Sequence, residues 1–369
     1  MKIPQMFPFI GMEEYDSMKE CFETNWVTEG PKAKQFVDEL CDIIGVKYGV
    51  LAPNGTLALY LGLKSLGIGH GDEVIVPNFT FIASASAVHM ANATPVFVDV
   101  DPQTLQIDVK DCERVRTANT KAIMPVHIFG AACDMDAVEQ YAKFHGLKVV
   151  EDAAQAMGVR WKGTHCGSFG DVGCFSFFAD KTITTIEGGL VVTDNKEVYK
   201  NLLYLRNQGR LDRGSFIHPQ VGYNFRMNDI QAAIGLTQLQ KADAIYNKKL
   251  EIYNLYCDLL KDIEDVQILK PMECSNLVPF RVAILFKRIG REKMSTFLET
   301  KGIETRTFFY PLNKQPCFAY LKKTQDLSDT NFKNSIDAYN RGLCFPAYPT
   351  LTEEQVGYIC NKIKEAFAQ

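Results

Sequence analysis

Leu147-Lys148-Val149-Val150-Glu151-Asp152-Ala153-Ala154-Gln155 is an apolar run that stops on two carboxylates and then turns through small residues. A short apolar run closed in this way reads as a buried strand with polar chemistry at its carboxyl end. Four similar runs precede it: Tyr48-Gly49-Val50-Leu51-Ala52, Glu73-Val74-Ile75-Val76-Pro77, Pro95-Val96-Phe97-Val98 and Ala122-Ile123-Met124-Pro125-Val126. Helical stretches lie between them, from Asn54-Gly55-Thr56 to about Leu66, near 82–91 and near 135–145. Strands alternating with helices predict an α/β fold whose sheet is mainly parallel and covered on both faces.

Ligands in such sheets bind beyond the carboxyl ends of the strands. Asp152 ends the fifth strand, Thr56 opens the helix after the first, and Phe81 follows the second. About thirty residues after Asp152, beyond the apolar run Val172 to Phe178, comes Asp180-Lys181-Thr182-Ile183-Thr184-Thr185 and then the pair Gly188-Gly189. An amine and a carboxylate placed so suit pyridoxal phosphate chemistry. The amine can form a Schiff base with an aldehyde, and the carboxylate can keep a ring nitrogen protonated so that the ring withdraws electrons. Ser176 can donate to a phosphate, and glycines at 188 and 189 let ligands approach the backbone. The helix opened by Asn54-Gly55-Thr56 presents N–H groups and a positive dipole end to the same phosphate.

Each residue also has a plainer reading. Most lysines are solvated, Asp152 suits a cap after a strand, Asn54-Gly55-Thr56 suits simple capping, and Phe81 suits a core. The pairing of Lys181 with Asp152 favours the cofactor reading for that carboxylate.

Asn228 to about Leu260 reads as one long helical stretch leading into a smaller domain. That domain holds a strand near 278–286, a helix near 291–301 and a last helix near 353–367 capped by Thr352. The division expected is 1–245 for a large cofactor-binding domain and 246–369 for a small one. The 369 residues suffice for both. A net charge of −4 gives no reason to expect nucleic acid or an anionic membrane as partner. No apolar run reaches the roughly 20 residues of a membrane span. The first residues lack the apolar core of a signal peptide, so a cytoplasmic location is expected. The 11 cysteines include no Cys-x-x-Cys pair, and no metal site is expected; reduced cysteines packed as small hydrophobes fit best.

The chain resembles the DegT/DnrJ/StrS sugar aminotransferases, and within them the GDP-perosamine synthase group that aminates C4 of a 4-keto-6-deoxy sugar nucleotide. The likeness runs over nearly the whole chain. It is carried by Trp26 to Pro31, Asn54-Gly55-Thr56, Gly71 to Pro77, Ile123 to His127, Glu151 to Gln155, Gly167 to Asp171, Lys181 to Thr185, Gly222-Tyr223-Asn224-Phe225-Arg226-Met227 and Phe345 to Leu351. It implies fold type I of the pyridoxal phosphate enzymes, the aspartate aminotransferase-like fold. It makes Lys181 the Schiff-base lysine and Asp152 the partner of the ring nitrogen. Gln155 would bond near the ring hydroxyl, Phe81 would stack on the ring, and Gly55, Thr56 and Ser176 would bind the phosphate. Asn224 would reach the phosphate of a partner subunit, making a homodimer with shared sites. Glutamate would be the amino donor and a keto sugar nucleotide the acceptor.

Substrate candidates are Arg306, Tyr310 and Asn313, with the loop arginines Arg206, Arg210 and Arg213 as either a diphosphate site or a solvated cluster. Two departures stand out: Ile186 where the family often has Gly, and Asn313 in Pro311-Leu312-Asn313-Lys314-Gln315-Pro316 where it usually has His. A branched residue at 186 disfavours a positive φ. Alternatives to the 4-aminating reading are a 3-keto sugar nucleotide aminotransferase and a sugar dehydratase of the same fold. The dehydratases carry His at the lysine position, which Lys181 argues against. A non-catalytic protein that keeps the fold is opposed by the intact Lys181 and Asp152 pair.

Overall fold

A computed structural model describes residues 1–210, 214 and 216–367. In chain order its strands are β1 (Tyr48–Ala52), β2 (Glu73–Pro77), β3 (Thr94–Val98), β4 (Thr120–Ile123), β5 (Lys148–Asp152), a small hairpin of β6 (Arg160–Trp161) and β7 (Thr164–His165), β8 (Val172–Ser176), β9 (Gly189–Thr193), β10 (Val266–Ile268), β11 (Val282–Phe286), β12 (Arg306–Thr307) and β13 (Gly342–Phe345). Seven form one sheet in the order β1-β9-β8-β5-β4-β2-β3. β9 runs against both neighbours and the remaining pairs are parallel. This is the mainly parallel, helix-covered sheet expected.

Both faces of the sheet are buried, which is why its strands read as continuous apolar runs. Leu51, Ile75, Ile123 and Val149 pack on one side with Phe36 and Leu40 of the helix Pro31–Ile44 and with Val138 of Met135–His145. Val50, Val74, Ala122 and Val150 pack on the other with Leu59 and Leu63 of Gly55–Ser65 and Val88 of Ala83–Met90. The strict alternation has a consequence in β5. Glu151 follows Val149 to the first side and Asp152 follows Val150 to the second.

Three expectations need correction. The fourth strand closes at Ile123, short of 126, because Pro125 has no N–H to continue a ladder. The stretch Asn228–Leu260 is two helices, Asp229–Gln240 and Ala242–Leu260. Lys241 at φ −98°, ψ −2° donates its N–H to Gln238, three residues back, which interrupts the α ladder. The strand near 278 begins at Val282, since Val278 and Phe280 donate their N–H groups to Gly130 and Phe129 of the large sheet's loops. β9 opens on the second glycine of the pair Gly188-Gly189 and continues as Gly189-Leu190-Val191-Val192-Thr193, an apolar run of strand length.

The second sheet is antiparallel, in the order β10-β11-β13-β12. Its core joins Ile252, Tyr256 and Leu260 of Ala242–Leu260 to Met294 and Leu298 of Arg291–Thr300 and Ile359 and Ile363 of Glu353–Phe367. Ile3 belongs to this core and bridges Ile303. Thr352 and Gln355 exchange side-chain and backbone bonds at 3.2 and 2.9 Å, the cap expected for the last helix.

Candidate active site

Three short segments meet at the carboxyl end of the large sheet. The helix Gly55–Ser65 starts there, and Asn54 caps it by accepting the Leu57 N–H at 3.0 Å. Ser176 ends β8 beside it: a Cβ placed on Gly55 would stand 2.7 Å from the Ser176 Cβ and 3.0 Å from its Oγ. A Cβ on Gly189 would meet the Asn54 carbonyl oxygen at 2.5 Å. Both glycines are therefore required by close approach, and Gly55, Thr56 and Ser176 form one cradle of N–H and O–H donors of the kind that holds a phosphate.

Asp152 is 6% exposed. Its Oδ2 accepts the Ser84 hydroxyl at 2.7 Å and its Oδ1 accepts the Ala154 N–H at 3.2 Å. Burial pushes its pKa up, while Ser84, Ala154 and the positive charge of Lys181 hold it down. Ser84 in turn lies 3.1 Å from the Thr80 hydroxyl. Gln155 is buried, and its Oε1 accepts the N–H of Phe129 at 2.7 Å, which fixes its NH2 group as the outward donor. Phe129 sits at φ +57° in that turn. Phe81 is not a core aromatic: it is 56% exposed, edge-on to Phe309 with centroids 6.2 Å apart.

Lys181 lies in the turn after β8, its N–H donated to Phe178 at 2.9 Å. Its amine is 3.7 Å from Asp180 Oδ1 and 4.6 Å from the centroid of the Phe280 ring. Burial pushes the amine's pKa down, and Asp180 and Asp152 hold it up. A lysine kept out of water in this way is more nucleophilic near neutrality than a surface one.

The loop from Lys181 to β9 carries a strained residue. Ile186 has φ +70°, the left-handed region that branched residues avoid. Its N–H is held by Thr184 Oγ1 at 2.8 Å, and the Glu187 carbonyl takes both Thr185 Oγ1 at 2.8 Å and Gln231 Nε2 at 2.7 Å. The surrounding bonds over-determine the turn.

Residue order carries no signal for Ser84, Asp180 or Arg281, because their partners are long-range or their residue types commonplace. Glu151 also has a role not anticipated. It accepts the N–H groups of Gly167, Phe169 and Gly170 at 2.7 Å each, and His127 Nε2 lies 3.0 Å away. Nδ1 of His127 accepts the Cys133 N–H at 3.1 Å, so the ring proton sits on Nε2 and is donated to Glu151. This buried set fixes the segment leading into β8.

The substrate candidates divide. Arg306 is exposed and 3.7 Å from Asp180 Oδ2, beside Lys181, whereas Tyr310 is exposed and edge-on to Tyr339 at 5.1 Å. Asn313 is 4% exposed and turned inward: its N–H and Oδ1 bond to the Asn78 amide at 2.7 and 3.0 Å, and its Nδ2 donates to Leu327 at 3.1 Å. Its amide is spent on tying the 312–314 turn to the end of β2. Asn224 is exposed and accepts from Arg226 Nε at 2.9 Å. Arg206 pairs with Glu29 at 2.6 Å, Arg210 stacks on Phe216 at 5.3 Å, and Arg213 lies outside the described residues. Among the described residues, no group of His, Cys, Asp and Glu side chains could hold a metal, and no helix is long and apolar enough to cross a membrane.

The model of the DegT/DnrJ/EryC1/StrS aminotransferase family matches residues 8–364. The chain belongs to this family. It is 39% identical over 368 residues to the GDP-perosamine synthase of Escherichia coli O157:H7, covering 99% of both chains. It is 37% identical over 369 residues to that of Vibrio cholerae, again covering 99% of both. A Streptococcus pneumoniae protein assigned as a sugar aminotransferase and solved in its PMP form superposes with a TM-score of 0.93 at 28% identity, over 99% of this chain and 98% of that one. The fold is that of the pyridoxal phosphate-dependent sugar aminotransferases, the chain is an enzyme of that class, and pyridoxal phosphate is its cofactor.

Proposed function

We propose that this enzyme moves an amino group from glutamate to C4 of a 4-keto-6-deoxyhexose carried on a nucleoside diphosphate, as a homodimer with shared sites. The observation that carries the reading is the buried Lys181 amine in the field of the buried Asp152 carboxylate, beside the Gly55–Ser176 cradle. Relatives named for perosamine synthesis over the full length support the choice of acceptor.

The cofactor supplies an electron-withdrawing ring and an aldehyde carbon that carries nitrogen between substrates. The residues supply the rest. Gly55, Thr56 and Ser176 would hold the phosphate, with Asn224 of a second copy completing that cradle. Phe81 would cover one face of the ring, and Gln155 would donate its NH2 to the ring hydroxyl. Asp152, whose ionised form Ser84 and Ala154 favour against the upward push of burial, would hold the proton on the ring nitrogen. Lys181 Nζ, its basicity lowered by burial, would take and return the proton that moves in each half-reaction. Arg306 and Tyr310 would face the sugar nucleotide, and Asn313 would act through Asn78 on the loop leading to Phe81.

A second copy also suits the surface around the site. Trp26, Val27 and Ile186 are 45, 46 and 49% exposed. They stand on segments tied together by Asp229, bonded to Gly30 at 2.7 Å, and by Gln231, bonded to Glu187. Apolar side chains on such a rim are the kind that a partner covers. A glutamate-dependent assay over GDP-, dTDP- and UDP-linked 4-keto and 3-keto sugars, with products read by mass, tests the function. Amination of 3-keto sugars alone would overturn the C4 assignment.

A further inference from the structure

The helix Gly55–Ser65, whose first turn forms the Gly55 and Thr56 part of the cradle, carries Tyr60 one turn beyond Thr56 on the same face. Tyr60 is 6% exposed, and its hydroxyl donates to the Tyr223 hydroxyl at 2.7 Å, across 163 residues of sequence. Burial first, and the Tyr223 hydroxyl second, push the Tyr60 pKa up, so the proton that makes this bond stays in place. The rest of that helix has its own supports. Asn54 caps its start, and Ala58, Leu59, Leu61 and Leu63 are packed in the core.

Tyr223 stands next to Asn224 in the segment 222–227, and the side chains of that segment alternate. Tyr223 and Phe225 turn inward, stacked on each other with centroids 4.9 Å apart and 10° between their planes. Both stand edge-on to the Tyr60 ring, at 5.6 and 6.1 Å. Asn224 and Arg226 bond to each other on the outer side, where Asn224 is exposed. The backbone is tied to the turn after the helix Lys196–Arg206. The N–H groups of Tyr223 and Phe225 donate to Leu205 and Arg206 at 2.6 and 3.0 Å, and that of Gln208 donates to Tyr223 at 2.8 Å. A Cβ on Gly222 would stand 2.1 Å from the Gly209 nitrogen, so only glycine fits where the segment meets that turn. The inner side of the segment is thus seated on the phosphate helix, and its outer side presents Asn224.

We propose that Tyr60 and Tyr223 are positioning residues that act in trans: through their two hydroxyls, the helix that opens at one subunit's phosphate cradle holds the arm whose Asn224 completes the cradle in the partner subunit. The inference rests on the reading of Asn224 as a residue of a shared site. An exposed amide on an extended segment has many conformations, and ordering it on binding would subtract from cofactor affinity. Seating the arm beforehand removes that cost. Ring packing alone is non-directional and lets the arm shift, whereas an O–H···O bond of 2.7 Å fixes its place along the helix. Removing one hydroxyl leaves the other without this partner in a buried setting, so the arm moves while the rings stay packed. The arm serves the partner's site, and the defect belongs there rather than beside the altered tyrosine.

Tyr60→Phe and Tyr223→Phe keep the rings and remove one oxygen each. Cofactor affinity is measured by titrating the cofactor-free protein with pyridoxal phosphate and reducing with borohydride, which attaches cofactor to the chain only where Lys181 is present. Each variant should bind cofactor about 3- to 10-fold more weakly than wild type, the scale of one hydrogen bond. The double variant should lose no more than either single one, because both remove the same bond. The cis and trans readings part in a hybrid dimer of one Tyr223→Phe chain and one Lys181→Ala chain, isolated by two affinity tags. Its one lysine-bearing site takes Lys181 from the tyrosine variant and Asn224 from the other chain, whose Tyr223 is intact. Wild-type affinity at that site is the expected result, and a general loosening of the fold would not restore it. A site as weak as that of the Tyr223→Phe homodimer would overturn the proposal. So would additive losses in the double variant, or tyrosine variants that bind cofactor as wild type does. A hybrid of Asn224→Ala with Lys181→Ala tests the shared-site reading separately. If its site stays as weak as that of the Asn224→Ala homodimer, Asn224 acts within its own subunit, and it is that reading which fails.

Discussion

The Ser84 hydroxyl donates to Asp152 Oδ2 at 2.7 Å across 68 residues of sequence, tying the start of one helix to the end of β5. A donor on the ionised form lowers a carboxyl pKa, opposing the rise that burial causes. Ser84→Ala should therefore raise the Asp152 pKa. Activity that needs the ionised carboxylate is present above that pKa and lost below it, so the acid limb of kcat/KM should move to higher pH. We expect turnover to fall about 10-fold near neutrality, the scale of one hydrogen bond to a charged group. A pH–rate profile with an unmoved acid limb would count against this role.

Asp152→Asn removes the charge and keeps the shape. If Asp152 holds the ring proton, turnover should drop by at least ~100-fold while some cofactor still binds. Near-normal turnover would reduce Asp152 to a structural acceptor for Ser84 and Ala154.

Ile186 holds φ +70° with a branched side chain, a conformation that costs roughly 1–3 kcal/mol. Ile186→Gly relieves that strain but gives the unfolded chain more freedom, about 0.4–1 kcal/mol. The expected net is a gain of about 1 kcal/mol, read as a higher denaturant midpoint at constant m-value. A lower midpoint would mean that contacts of the Ile186 side chain outweigh its strain.

Asn313 and Asn78 bond reciprocally in the interior. Asn313→Ala leaves the Asn78 amide without those partners and should cost about 1–3 kcal/mol of stability. Because Asn78 leads to Phe81, the KM for sugar nucleotide should shift more than cofactor affinity does. Thermal melts and steady-state kinetics on one preparation check both.

The proposed sharing of sites between two copies can be tested by complementation. Lys181→Ala and Asn224→Ala chains should each be inactive, yet a hybrid dimer has one site built only from unmutated residues. Random mixing should restore up to about a quarter of wild-type activity. Activity confined to a monomer in sedimentation would sink the dimer.

Much was legible in the sequence because the sheet is buried on both faces, so its strands announce themselves as apolar runs. β1, β2 and the helices after them fall where periodicity and capping put them. Lys181 and Asp152 stood out because each is polar chemistry directly after such a run. The adjacent Glu151 and Asp152 show the limit. Alternation sends one toward His127 and the other toward Ser84 and Lys181, and the sequence does not say which face carries the site.

The local pattern determined the fold class and the family and singled out Lys181 and Asp152 as candidates, since these depend on periodicity and short motifs within single segments. Only the tertiary structure decided that Ser84 orients Asp152, that Asn313 faces inward to Asn78, that Ile186 bears strain, and that Tyr60 meets Tyr223. Each of these depends on distance between residues far apart in the chain or on backbone angles imposed by neighbouring elements, and neither quantity is written in residue order.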